Sequence, residues 1–73
     1  MPGEKDVRAR FGHRLRELRL QAQLSQEELA FRAGLHRTYV SSVERGQRNV
    51  ALLSLEKLAL AFDLRINELD EGV

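Results

Sequence analysis

Residues 25–49, SQEELAFRAGLHRTYVSSVERGQRN, decide the fold. Ser25 followed three residues later by Glu28 has the form of a capping box, in which each side chain satisfies a free backbone donor of a new helix. That helix sets Leu29, Ala30 and Ala33 on one face, and Gly34 stops it because glycine enters the left-handed region without a Cβ clash. Helical spacing resumes at Arg37 and runs to Arg45 with Val40 and Val43 inward, until Gly46 supplies a second stop. Ala30 is small enough for the two helices to cross closely, and Leu35 can bury its side chain in the turn AGLHR. Two short helices joined by such a turn predict a helix-turn-helix, whose first helix spans the backbone of a nucleic-acid duplex while the second enters the major groove. A helix-turn without that function has the same periodicity, so spacing leaves the role open.

Upstream, Val7, Phe11, Leu15 and Leu18 recur at helical spacing among good helix formers and predict a first helix over about 6–22. Downstream, a polar loop leads to Leu52, Leu55, Leu58, Ala59 and Phe62, the core side of a fourth helix. A short fifth helix is expected around Ile66 to Leu69. The only proline is Pro2, strand-like alternation is missing, and no linker, repeat or low-complexity stretch interrupts the pattern. The expected fold is all-α, a compact five-helix domain over 1–73 with the helix-turn-helix at its centre.

A 73-residue chain builds only a small core, and it contains no cysteine to reinforce that core with disulfides. Thiolate metal sites are excluded too, and the two imidazoles, His13 and His36, have no adjacent carboxylate pattern, so no metal or cofactor is expected. There is no nucleophile with a base at plausible spacing and no glycine-rich phosphate loop, which argues against an enzyme and against a small-molecule ligand. No apolar run is long enough to span a bilayer, and MPGEKDVRAR lacks the apolar middle of a signal peptide; a cytoplasmic protein is expected. The net charge of +1 conceals an asymmetry: residues 1–24 carry six basic and three acidic side chains, residues 25–50 four and three, and residues 51–73 two and five. Such a split suits a basic face for a polyanion with an acidic end held away from it, although an ordinary solvated surface has similar counts.

The outward positions of the second helix, Arg37, Thr38, Ser41 and Ser42, suit base edges and phosphates. Arginine matches guanine O6 and N7, and threonine offers a hydroxyl together with a methyl for thymine. The alternative for Arg37 is a solvated residue of the first turn, but a cation is disfavoured at the positive end of a helix unless an anion lies nearby. The quoted stretch, from its capping Ser-Gln to its Glu-Arg-Gly, resembles the helix-turn-helix of the Cro and C1 repressor family over residues 10–70. Within that family GLHRTYVSSVERGQRNVAL is most similar to the controller proteins of restriction-modification systems.

The resemblance implies a lambda-repressor-like fold and a dimeric regulator of transcription that binds paired half-sites in double-stranded DNA. It places Arg37, Thr38, Ser42 and Tyr39 on bases, Tyr39 being otherwise a half-buried packing residue. It places Gln26, Ser41, Arg48, Asn49 and Ser54 on phosphates, Gln26 at a helix start where free N–H groups already favour an anion. It also pairs Arg19 with Glu44 as a structural salt bridge. His36 stands where many members have Ser, Thr or Asp to cap the second helix, so that cap is in question; a phosphate contact is the lesser reading for this surface histidine.

Leu53 and Leu60 lie seven residues apart on a second apolar face of helix four. A chain this small cannot cover both faces, so Leu53 and Leu60, with Leu64, Ile66 and Leu69 nearby, are expected to form a homodimer interface within about 52–70. The alternative is that helix five folds over them within one subunit. Two dimers on adjacent sites are compatible with the resemblance. The competing function is that of an antitoxin or small phage-type repressor whose main partner is a protein.

Overall fold

In the computed structural model, which describes residues 4–73, five segments are helical and no strand occurs among the described residues. They are α1 (Glu4–Gln21), α2 (Gln26–Ala33), α3 (Arg37–Glu44), α4 (Leu52–Ala61) and α5 (Ile66–Leu69). Each of the five expected helices is present, and α1 begins two residues earlier than its apolar spacing suggested.

Local chemistry accounts for the boundaries. Ser25 Oγ accepts the Glu28 N–H at 3.0 Å while Glu28 Oε1 accepts the Ser25 N–H at 2.9 Å, so α2 opens on a complete capping box. Gly34 ends it in the left-handed region at φ 68°. The turns after α1 and α4 use the same left-handed geometry with side chains present, at Gln23 (φ 59°) and Asp63 (φ 57°). In both, the next residue reaches back to the helix: Leu24 N–H donates to the Arg19 carbonyl and Leu64 N–H to that of Ala59. His36 caps α3, its Nδ1 accepting the Thr38 N–H at 3.3 Å, so an imidazole fills the position that usually takes a hydroxyl or carboxylate.

The helices surround one apolar cluster. Phe11 and Leu15 of α1, Leu24, Leu29, Ala30 and Ala33 around α2, Val40 and Val43 of α3, Leu58 and Ala59 of α4 and Leu69 of α5 are all buried. α3 packs on both α1 and α2, α2 also meets α4, and α4 meets α5. The α1–α3 crossing is close because of Gly12: a Cβ there would stand 2.3 Å from the Val43 carbonyl oxygen. Arg14 ties the far end, donating from Nε to the Leu69 carbonyl at 3.3 Å and from Nη2 to that of Glu68 at 3.0 Å.

Two residues of the expected core stripes lie outside. Val7 is 44% exposed and Leu52 73%. Val7 stands a turn beyond Phe11, on the lining of an open groove with Val50, Leu55 and Val73, and Leu52 lies in the first turn of α4, next to Leu53. Leu69 departs from expectation in the other direction. It was placed on an intersubunit surface, but it is 0% exposed, because α5 folds it into the chain's own core. Ile66 is half-buried against that core and Leu64 half-buried beside it, whereas Leu53 and Leu60 remain 62% and 71% exposed.

Candidate nucleic-acid interface

α3 offers its polar face to solvent because Val40 and Val43 take its other face into the core. Arg37 and Thr38 are exposed at its N-terminal end, with Ser41 and Ser42 half-buried one turn on. The first turn contains no acidic side chain, so the free N–H groups there and the Arg37 guanidinium make this end of the helix electropositive.

The hydroxyl groups on this face are tied to the protein. The Thr38 hydroxyl lies 2.8 Å from His36 Nδ1, the atom that caps α3, and the imidazole tautomer sets the direction of that bond. Ser42 Oγ donates to the Thr38 carbonyl at 2.8 Å. The Ser42 proton is thus turned back on the protein, and its oxygen remains an acceptor. In a major groove such an oxygen matches the N4 donor of cytosine or the N6 donor of adenine, while Arg37 supplies donors for guanine.

Behind this face is a polar network that fixes α3. Arg19 grips Glu44 with two bonds, Nε to Oε2 at 2.7 Å and Nη2 to Oε1 at 3.1 Å, and its Nη1 donates to the Leu24 carbonyl at 2.9 Å. The two side chains are only 11% and 4% exposed, so the expected pairing of α1 with the end of α3 is a buried one. Gln26 completes the network, donating from Nε2 to Glu44 Oε1 at 3.1 Å. Gln26 therefore braces the pair as well as starting α2, a role that first-turn position alone did not reveal. One hydrogen of its amide remains for a ligand.

Tyr39 is half-buried against the core, and the Arg48 guanidinium lies over its ring, 5.3 Å from the centroid. The ring is thereby a platform that holds Arg48 beside α3 across the loop, a contact with no counterpart in local spacing. Arg48 and Asn49 are exposed in that loop, whereas Ser54 is half-buried in the first turn of α4, on a separate element. Among the described residues no helix is long and apolar enough to cross a membrane, and no group of three or more His, Asp or Glu side chains could hold a metal.

Known proteins share this fold. A helix-turn-helix family model matches residues 15–69. The control protein C.BamHI of Bacillus amyloliquefaciens is 45% identical over 65 residues, covering 88% of this chain and 80% of that protein. The crystal structure of the restriction-modification controller protein C.AhdI from Aeromonas hydrophila superposes with a TM-score of 0.82 at 58% identity, covering 85% of this chain and 94% of that one. The controller protein C.Esp1396I, solved as a tetramer in complex with its natural 35-base-pair operator, superposes with a TM-score of 0.80 at 29% identity, covering 89% of this chain and 86% of that one.

Proposed function

The chain belongs to the Cro/C1-type helix-turn-helix family, among whose members it is similar to restriction-modification controller proteins, and we propose that it regulates transcription by binding an operator in duplex DNA as a homodimer. The observation that carries this is the exposed polar face of α3, with Arg37 at its start and the Thr38 and Ser42 hydroxyls behind, on a helix fixed by the buried Arg19–Glu44–Gln26 network. Arg37, Thr38 and Ser42 read bases. Tyr39 supports Arg48 and adds a base contact of its own. Gln26, Ser41, Arg48, Asn49 and Ser54 hold phosphates, which position the helix without carrying sequence information.

A two-fold dimer presents two copies of α3 about one helical turn apart, roughly 34 Å, and so binds a palindromic site. Leu53 and Leu60, with Leu64 and Ile66 at the rim, supply the contact between subunits. Each half-site involves few base contacts, so affinity depends on joining two halves.

Selection of bound sites from random duplexes tests the proposal, with recovery of a two-fold symmetric sequence as the expected result. On the selected site Arg37→Ala loses about 1–3 kcal/mol and relaxes preference at one position per half-site, whereas Arg48→Ala weakens all sequences alike and lowers the salt slope by about 1 per subunit. Equal losses on every sequence from Arg37→Ala would remove its role as a reader.

A further inference from the structure

Arg8 takes no part in the interface described so far. It precedes Ala9, whose Cα is 3.0 Å from where a Cβ on Gly46 would stand, so this stretch of α1 abuts the loop that leaves α3. Between them runs a groove of about 370 Å³ with an apolar floor of Val7, Phe11, Val50, Leu55 and Val73, and with Arg8, Arg48, Asn49 and Asp70 as its polar lining. The Arg8 Nε is buried and has no hydrogen-bond partner. None of the ion pairs among the described residues involves Arg8, although Asp70 lines the same groove.

A guanidinium cannot shed its charge, so a buried donor without an acceptor destabilises the chain. That cost is relieved when an anion accepts from it. We propose that Arg8 is a further contact to the DNA backbone, receiving a phosphate together with Arg48 and Asn49 in the groove between α1 and the α3–α4 loop. The proposal rests on the DNA-binding reading above. Tyr39 links the groove to the recognition helix by holding Arg48. Phosphates carry no base identity, hence Arg8 adds affinity and salt dependence but no sequence preference.

The test measures binding of a mixed-sequence duplex and of the selected operator between about 50 and 200 mM salt, for the wild-type chain, Arg8→Gln and Arg8→Lys. Arg8→Gln should flatten the plot of log affinity against log salt by about 0.9 per subunit on both duplexes, with the ratio between them unchanged. Arg8→Lys should keep most of the slope. In the absence of DNA the thermal midpoint of Arg8→Gln should be unchanged or raised, because an unsatisfied donor has been removed. An unaltered slope in Arg8→Gln overturns the proposal, as does a lowered midpoint, which marks an arginine that holds the fold. Failure of the wild-type chain to bind either duplex overturns the DNA-binding reading itself, and the Arg8 contact with it.

Discussion

Arg37 and Glu44, at the two ends of α3, show how differently single residues serve one surface. Arg37 is exposed and touches solvent, so its value lies in what it meets outside the chain. Glu44 accepts three hydrogen bonds from Arg19 and Gln26 in a site closed to water, and it acts on the surface only by holding the helix that carries the readers. Glu44→Ala leaves the Arg19 charge buried without its partner, and a loss of about 3–5 kcal/mol is expected in urea denaturation, a large share of the roughly 5–15 kcal/mol that stabilises most domains. Resemblance to a known family made the Arg19–Glu44 pair legible in the sequence. The imidazole cap that ties the Thr38 hydroxyl to His36 was not legible, since it depends on the orientation of that ring.

At the scale of the helices, α1 and α2 depend on features of opposite visibility. The capping box of α2 is written as Ser25 and Glu28. The Ser25 backbone N–H, then its hydroxyl, hold the Glu28 carboxyl below the usual carboxylate range, with a smaller contribution from Arg32, against a weak opposing effect of burial. The unfolded chain therefore binds the proton more readily, so this stabilisation is fully present above the ordinary carboxylate range and is lost as pH falls through that range and on to the lower folded value. Glu28→Gln should lower the thermal midpoint near neutral pH and shrink its fall on acidification, checked by melting the two proteins side by side at neutral and acidic pH. Gly12, in contrast, looks like a defect in a long helix, and alanine there would gain about 1 kcal/mol in helix propensity. Its would-be Cβ meets the Val43 and Glu44 carbonyl oxygens at 2.3 and 2.7 Å, neither of which can yield without moving α3. Gly12→Ala should therefore destabilise the chain by about 1–3 kcal/mol in chemical denaturation despite the better propensity.

For the whole molecule, the exposed leucines matter most. Leu52, Leu53 and Leu60 stand open along α4, although α5 packs against that helix and buries Leu69 in the core. Leu53→Glu or Leu60→Glu should shift the chain toward monomer in sedimentation and weaken operator binding far more than the binding of a single half-site, because joining two sites is what raises affinity. A dimer unaffected by either substitution would remove α4 from the interface. The direction of charge along the chain fits this arrangement, with arginines concentrated in the first two thirds and carboxylates in the last.

The sequence alone determined the five helices, their order and the polar face of α3, because caps, stops and apolar periodicity act over fewer than ten residues and need no partner from afar. Even the pairing of Arg19 with Glu44 was accessible, through the likeness of the stretch around it to a known family. What only the tertiary structure decided lies where distant segments meet. Val7 and Leu52 share the helical spacing of the core yet stay outside it, and Leu69 lies within, because burial depends on which helix crosses at that height. Gln26 joins the Arg19–Glu44 pair, Arg48 lies on Tyr39, and Arg8 comes to the rim of the same loop, each by contact between residues that periodicity cannot relate. Periodicity fixes the direction in which a side chain leaves its helix, and only packing fixes what it meets there.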